Sequence, residues 1–323
     1  MATEENNVIN TDDSEDENYE LSFKKELVLG MLSDIGLDMP AFIREAFLGY
    51  RYRKNNKTLY EQSATIPTML ITLYYSLNPG EIEFDTLKKN FIKKYVKNES
   101  QIEGVNDADI HGQEEIEGLA DMYEYLHSEE MDKFFSVYSL KDLHRKLFGR
   151  TPFPEYAGHY RNGPVYLKGS NVGLCEYYMV ERELYALSGT IDYLHEAAKI
   201  VRGSGNVAEL LCFLDQVVEL NCKLIWIHPF QDGNGRTVRA FINKLLEDAG
   251  LPPIYIKANE RTAYHTAMNL ANGDEHDFTA IKAFYRYKIC DSILELDIEE
   301  RYRRANKEMN VSEAKKKLKD KKN

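Results

Sequence analysis

HPFQDGNGRTVR, residues 228–239, is the stretch of this chain on which the fold and the chemistry both depend. It follows an apolar run, LIWI, that ends one predicted helix, and Asn234-Gly235 opens the next helix. The Gly-Asn-Gly turn is therefore predicted to lie at a helix N-terminus, where free N–H groups and the helix dipole favour an anion. Gly233 and Gly235 have no Cβ, so the backbone can approach a phosphate closely.

The polar residues of this stretch are of the types that phosphate chemistry needs. Arg236 and Arg239 lie one turn apart on the predicted helix, so both guanidinium groups can reach the same side. Asp232 offers a hard oxygen ligand, which Mg²⁺ accepts alongside substrate phosphates. His228 is a natural proton acceptor, because an unperturbed imidazole has a pKa near ~6.5. Each residue alone has an ordinary structural explanation, but the combination predicts phosphoryl or nucleotidyl transfer.

Composition is that of an ordinary soluble protein, with 323 residues, 43% hydrophobic and 29% charged. No apolar run approaches the ~18 residues of a membrane span, and the acidic N-terminus lacks the apolar segment of a secretory signal. We therefore expect a cytoplasmic protein without membrane contact. The four cysteines lack metal-ligand spacing or disulfide density. A net charge of −12 disfavours general binding of nucleic acid.

Charge and periodicity divide the chain into four predicted parts. Residues 1–20 hold eight acids and no Lys or Arg, which predicts a disordered acidic tail. Helical spacing of apolar residues predicts a helical extension over residues 21–97 and a larger helical domain over residues 98–298. Residues 299–323 form a basic tail, interpreted as a solvated run of charge.

One segment departs from the otherwise all-α pattern. Residues 157–171 read AGHYRNGPVYLKGSN, in which apolar residues stand between Gly, Asn and Pro turns. This arrangement predicts the single β-hairpin of the chain. The predicted strand residues are Tyr160, Val165, Tyr166 and Leu167.

Residues 228–239 match in full the pattern HPFx(D/E)GNGRxxR of the Fic (filamentation induced by cAMP) domain, so the chain resembles that family. The segments LHRKLFG at 143–149 and LPPIYIKANERTAYHTAMNLANGD at 251–274 resemble its flanking segments in order and spacing. The resemblance covers about residues 98–295. It implies a compact all-helical Fic core with a β-hairpin flap, preceded by a helical N-terminal extension.

The family's activity is AMP transfer from ATP to a protein hydroxyl, so the resemblance implies ATP as co-substrate and a protein target. His228 would deprotonate a Ser, Thr or Tyr of that target or of the enzyme itself. Asp232 would hold Mg²⁺ against the α- and β-phosphates. The turn of Gly233, Asn234 and Gly235, including the Asn234 side chain, would form the anion cradle.

The resemblance also implies roles for residues after the turn. Arg236 would neutralise charge developing toward pyrophosphate, and Arg239 would meet the γ-phosphate. Asn272 falls where the family often places a nucleotide contact, although an Asn before Gly273 is equally typical of a helix end. The flap would hold the target segment by β-strand pairing.

Many family members carry a helix with the pattern (S/T)xxxE(G/N), whose glutamate pairs with the second arginine and obstructs ATP. The triplet Ile102-Glu103-Gly104 resembles this pattern and precedes the core, as in the class with an N-terminal inhibitory helix. Glu99 stands where the pattern has Ser or Thr. A second triplet, residues 116–118, is the alternative position. In related proteins this glutamate also positions water for removal of AMP.

Three functions stay open from the sequence. The first is an autoinhibited protein adenylyltransferase, the second an enzyme that acts mainly as a de-AMPylase, and the third a catalytically silent Fic interaction module. The complete set of polar residues in the motif favours an enzyme. The sequence does not give the target, the trigger that releases inhibition or the oligomeric state, a homodimer included.

Overall fold

The computed structural model describes residues 67–68, 71, 84–105, 108–152, 156–167, 172–274, 276–292 and 295. The predicted tails and most of the predicted extension lie outside these residues. Within the described ranges the chain is helical and has no β-strand, which confirms the helical class expected from the sequence. No helix in these ranges is long and apolar enough to cross a membrane.

The described residues contain nine α-helices. In chain order they are α1 (Phe84–Glu103), α2 (Ile110–Leu126), α3 (Glu129–Phe134), α4 (Ser139–Phe148), α5 (Val180–Ser204), α6 (Val207–Ile227), α7 (Asn234–Asp248), α8 (Arg261–Asn272) and α9 (279–292). Short 3₁₀ turns, Tyr177–Met179 and Ala258–Glu260, precede α5 and α8.

Helix α7, which carries the second half of the motif, is the central helix of the fold. Every side chain from Arg236 to Leu246 is buried, because α2, α4, α5 and α6 pack around the helix. Asn243 donates to the Ile254 carbonyl and accepts from its N–H, both at 2.8 Å, and so fastens the segment before α8 to α7. Since a buried charge must be paired, arginines in this helix require carboxylates from neighbouring elements.

Helix α1 supplies such carboxylates from its buried face. Phe91, Tyr95, Glu99 and Ile102 are buried at spacings of three and four residues, as expected for one face of a helix. The helix ends at Gly104, whose φ of 75° is the left-handed conformation that glycine adopts readily. Helix α1 runs without a break through residue 98, where the larger domain was predicted to begin.

Helix α2 contains the second Ile-Glu-Gly triplet, which has a packing role. A Cβ added at Gly118 would lie 2.0 Å from the Leu147 carbonyl oxygen, so α2 and α4 approach each other closely there. Glu117 pairs with the half-exposed Arg150 at 2.8 Å, away from the motif. Of the two candidate triplets, only the one that contains Glu103 faces the motif.

The predicted β-hairpin is not formed in the described part of the segment, residues 156–167 and 172–176. The Arg161 N–H bonds the Pro229 carbonyl at 2.9 Å, and the Cys175 N–H bonds the Trp226 carbonyl at 3.1 Å. These backbone groups therefore bond to the end of α6 and the loop after it, not to each other. An isolated two-stranded ribbon is marginally stable, so such bonds prevail over strand pairing. Tyr160, Val165, Tyr166 and Leu167, the predicted strand residues, therefore do not lie on paired strands within the described residues.

Candidate functional site

The loop between α6 and α7 is bounded by two left-handed residues, His228 at φ 49° and Gly233 at φ 69°. The Asn234 amide closes the loop, since its Oδ1 accepts from the Phe230 N–H and its Nδ2 donates to the Phe230 carbonyl, both at 2.8 Å. Both ends of this side chain are therefore used within the loop. The N–H groups of the first turn of α7, which have no helical acceptor, are the part of the turn suited to an anion.

His228 is arranged as a proton acceptor. Its Nδ1 lies 3.2 Å from the Ile225 carbonyl oxygen, which can only accept, so Nδ1 carries the proton and Nε2 keeps its lone pair. Burial lowers the His228 pKa to about 4, and the charge of Arg161 acts in the same direction. The imidazole is therefore neutral at neutral pH, as a general base must be.

Arg161 holds the backbone on which His228 stands, a role that the sequence did not predict. Its Nε donates to the His228 carbonyl at 2.7 Å, and its Nη2 donates to the Ile227 and Cys175 carbonyls. The carbonyls at the end of a helix have no partner within the helix, and a cation there is favourable. Arg161 therefore fixes the left-handed turn at His228. Its place in the predicted hairpin segment was the only sequence signal.

His144 in α4 supports the loop from the other side, and it too was missed. Its Nε2 lies 3.0 Å from the Asp232 carbonyl oxygen, its Nδ1 accepts from the Gly158 N–H at 2.9 Å, and its ring stacks on Phe230 at 3.8 Å. These partners require Nε2 to donate and Nδ1 to accept. Burial lowers the His144 pKa to about 4. A neutral histidine therefore holds the backbone of Asp232.

Asp232 presents its carboxylate to solvent. The side chain is 72% exposed, with Oδ1 accepting the Gly233 N–H at 2.6 Å. No cluster of three or more His, Cys, Asp or Glu suited to a metal occurs among the described residues. One exposed carboxylate fits Mg²⁺, which keeps several waters and is held mainly by substrate phosphates.

A cavity of about 340 Å³ lies in front of the loop. His228, the Asp232–Gly235 turn, Arg239 and Glu103 form one side of it. Helix α8 forms another side, and three residues of the predicted flap line the cavity. These lining residues are Tyr264, His265, Met268, Asn269, Asn272, Val165, Tyr166 and Leu167.

Two predicted site residues differ in their relation to this cavity. Asn272 lines it as the last residue of α8, and its Nδ2 donates to the Cys222 carbonyl at 3.1 Å. Tyr160 is not among the lining residues; its ring lies 5.8 Å from that of Phe230 and beneath the Lys141 ammonium at 4.6 Å. Tyr160 therefore packs behind the loop, away from the cavity.

Arg239 is held by two carboxylates from α1. Its Nη2 lies 2.8 Å from Glu103 Oε1 and 2.6 Å from Glu99 Oε2. Its Nε lies 3.0 and 2.8 Å from the two Glu99 oxygens. Burial opposes the ionisation of Glu103, but the charges of Arg239 and Arg236 and the hydrogen bond from Arg239 together outweigh it, so the pKa of Glu103 is lowered. The predicted pairing of Glu103 with Arg239 is present, with Glu99 as an unpredicted second partner.

Arg236 does not line the cavity in this structure. It is 3% exposed, its Nη1 lies 2.5 Å from Glu115 Oε2 in α2, and its guanidinium lies 5.4 Å from the Phe148 ring centroid. Asp232 Oδ1 is 3.9 Å away. Both arginines of the motif are thus neutralised by carboxylates from the two helices that precede the core.

Comparisons with known proteins bear on the family and the fold of the chain. Residues 134–246 match the Fic/DOC family. A curated relative from Nematostella vectensis, named Protein adenylyltransferase Fic, is 28% identical over 225 residues, 69% of this chain and 48% of that protein. A relative of the same name from Drosophila erecta is 31% identical over 195 residues, 59% of this chain and 36% of that protein. The chain thus matches less than half the length of each.

Solved structures share the fold. Fic-1 from C. elegans superposes with a TM-score of 0.59 at 18% identity, covering 81% of this chain and 82% of that one. A Fic domain containing signaling protein from Bacteroides thetaiotaomicron gives a TM-score of 0.54 at 17% identity, covering 74% and 95%. At such identities the likeness establishes the helical fold.

Proposed function

The chain contains a Fic domain, and from this premise we propose that it is an autoinhibited protein adenylyltransferase, which transfers AMP from ATP to a Ser, Thr or Tyr hydroxyl of a protein. The observation that carries the proposal is the arrangement of His228. A neutral imidazole whose Nε2 keeps its lone pair lies beside a helix N-terminus in the same cavity. Transfer of AMP needs both a base for the target hydroxyl and a site for the phosphates.

In the proposed reaction the target hydroxyl oxygen forms a bond to the α-phosphorus of ATP. The bond from that phosphorus to the bridging oxygen breaks, and pyrophosphate leaves. His228 Nε2 takes the hydroxyl proton, while Nδ1–H keeps its bond to the Ile225 carbonyl. The N–H groups at the start of α7 stabilise charge on the phosphoryl oxygens. Asn272, at the far side of the cavity, is proposed as a nucleotide contact.

Mg²⁺ is proposed as the metal, and it would neutralise phosphate charge during transfer. Asp232 would hold it through the exposed carboxylate, alongside oxygens of the α- and β-phosphates. His144 keeps the Asp232 backbone in place for this purpose. The exposed Tyr166, with Val165 and Leu167, lies at the cavity and is proposed to contact the target segment.

Autoinhibition is proposed to act through Glu103. Its carboxylate occupies the Arg239 guanidinium that would otherwise meet the γ-phosphate. It also crowds the turn, because Glu103 Oε1 would lie 2.8 Å from a Cβ added at Gly235. A nucleotide cannot use the same guanidinium until Glu103 moves away.

The two other functions are less well supported. A silent binding module has no chemical use for a neutral, oriented base within a cavity. The relatives carry the name of the forward activity, so de-AMPylation is not proposed as the main reaction.

Labelled ATP with Mg²⁺ and a cell lysate tests the proposal. We expect the purified Glu103→Gly protein to place the AMP label on protein, and the same protein with His228→Ala to place none. Both proteins should bind ATP with affinities within a fewfold of each other. Bound ATP without label transfer, under conditions where both proteins are folded, would favour the silent module.

A further inference from the structure

Glu99 is bound to Arg239 more extensively than Glu103 is. Both Glu99 oxygens accept from the Arg239 Nε, at 3.0 and 2.8 Å, and Oε2 also lies 2.6 Å from Nη2. A protonated carboxyl group would have to present an O–H at one of these oxygens, whereas both act as acceptors from a guanidinium. Burial raises the pKa of Glu99, whereas the charge and the hydrogen bonds of Arg239 oppose that rise. The three contacts with one guanidinium favour the ionised form, in which Arg239 and Glu99 make a bidentate pair.

The two carboxylates differ in their freedom to leave. The Glu99 side chain is 0% exposed on the buried face of α1, whereas the Glu103 side chain is 32% exposed at the end of that helix. Glu103 can turn into solvent by a change of its own rotamer and the last turn of α1. Glu99 can separate from Arg239 only if the body of α1 moves, because Tyr95 and Ile102 on the same face are buried in the core.

This difference decides how many negative charges face Arg239. While Glu103 is bound, Arg239 faces two negative charges, and after Glu103 leaves it still faces one. The guanidinium that meets the end of the nucleotide is then already neutralised. A γ-phosphate there would gain little from Arg239 and would be repelled by the charge of Glu99 on the other side of the guanidinium.

We propose that Glu99 is a positioning residue that sets how strongly this site distinguishes a nucleoside triphosphate from a diphosphate, by keeping Arg239 neutralised even when Glu103 has left. The inference rests on the proposed function, in which Arg239 meets the γ-phosphate. The wild-type protein is accordingly expected to select only weakly for ATP over ADP. Removal of Glu103 raises the affinity for ATP only in part, because the charge of Glu99 remains on Arg239.

The competing explanation is that Glu99 only anchors Arg239 in the fold. An anchor would affect all nucleotides alike, because a displaced Arg239 disturbs the whole turn. A charge that acts on the γ-phosphate affects ATP and leaves ADP nearly unchanged. The ratio of the two dissociation constants therefore separates the explanations.

The experiment measures binding of ATP and ADP by calorimetry, with Mg²⁺, on the whole 323-residue chain carrying His228→Ala to prevent turnover. The parent protein carries Glu103→Gly, and the test protein adds Glu99→Gln, which preserves shape and removes charge. The matched control adds Glu117→Gln instead, which removes an exposed carboxylate of α2 that pairs with Arg150. Because Glu99→Gln leaves Arg239 without a carboxylate in this background, Glu99→Gln is also measured with Glu103 present.

We expect Glu99→Gln to raise the ratio of the ADP to the ATP dissociation constant about tenfold in the Glu103→Gly background, a size typical of one nearby charge in a partly buried site. With Glu103 present the rise should be smaller and in the same direction, and Glu117→Gln should leave the ratio unchanged. An unchanged ratio in the folded Glu99→Gln proteins, or equal weakening for both nucleotides, overturns the proposal.

The outcomes separate this inference from the proposed function. A parent protein that binds neither nucleotide overturns both. Binding of ATP without AMP transfer by the His228-containing protein overturns only the transferase assignment, and the ratio still decides the role of Glu99.

Discussion

Replacing Glu103 with Gly should activate AMP transfer, because it removes one of the two carboxylates on Arg239 and clears the turn at Gly235. The affected contact joins Glu103 Oε1 and Arg239 Nη2 at 2.8 Å. Glu103→Gln, which keeps the shape of the side chain, should produce only the part of the activation that arises from charge.

The magnitude follows from the exposure of the pair. A hydrogen bond between charged groups contributes about 1.5–3 kcal/mol when it is well shielded. Glu103 is 32% exposed, which favours the lower end of that range because solvent screens the pair. About 1.5 kcal/mol corresponds to roughly a tenfold increase in transfer rate at subsaturating ATP, and removal of the obstruction at Gly235 adds to it. The pair between Arg239 and Glu99 remains and limits the gain.

The assay is incorporation of labelled AMP into protein at ATP concentrations well below saturation. The control is Glu117→Gly, which removes an exposed glutamate from the other Ile-Glu-Gly triplet and should leave transfer near the wild-type rate. An activation by Glu103→Gly of less than twofold, in a protein that binds ATP, would refute the inhibitory role of Glu103. Equal activation by the Glu117 variant would show that the effect is not specific to Glu103.

Three further predictions concern the surroundings of the site. Gly118→Ala should destabilise the protein by about 3 kcal/mol in chemical denaturation, since its Cβ would lie 2.0 Å from the Leu147 carbonyl oxygen; a loss below 1 kcal/mol would contradict the close packing. Asp232→Ala should lower AMP transfer by at least about 100-fold and abolish its dependence on Mg²⁺, and persisting Mg²⁺ dependence would exclude Asp232 as the ligand. The folded-state pKa of His144, about 4, lies below its unfolded value of about 6.5, so its neutral form stabilises the fold above that value, and up to about 3 kcal/mol is lost as pH falls toward 4. The free energy of unfolding of His144→Gln should decline less over this range, and an equal decline would remove His144 as a cause.

The motif at residues 228–239 could be predicted from the sequence because the residue types and their spacing within this one stretch are enough to identify it. The end of α6 at Ile227 and the start of α7 at Asn234 follow from apolar periodicity and from the turn between them. Glu103 was found through its own triplet, which ends a helix. Such features depend only on residues close together in the sequence, so they can be predicted without knowledge of the fold.

The role of Glu99 as a second partner of Arg239 is partly indicated by its spacing from Glu103. It stands four residues before Glu103, so the two carboxylates share one face of a helix and can reach the same partner. In the sequence, Glu99 stands out only as a departure from the family pattern, at the position of its Ser or Thr. Nothing in the order of residues, however, indicates that its side chain is wholly buried and its neighbour's is not.

The predicted β-hairpin is not formed in residues 156–167 and 172–176, for a related reason. Alternation of apolar and turn residues describes a preference for extended backbone, but strands form only where the backbone groups pair with each other. Here Arg161 and Cys175 direct theirs to the end of α6 instead. The local sequence gives no sign of the competing carbonyl acceptors, which lie more than fifty residues further along the chain.

By itself the sequence determined the helical class, and it predicts the base and the position of an anion-binding turn, because these depend on side-chain chemistry and on spacing along one helix. Tertiary structure alone decided the two partners that were not predicted, Glu99 for Arg239 and Glu115 for Arg236, whereas the pairing of Arg239 with Glu103 was expected from the family pattern. Those partners are more than a hundred residues away in sequence, and the buried position of α7 requires that its charges be matched by whichever helices pack against it.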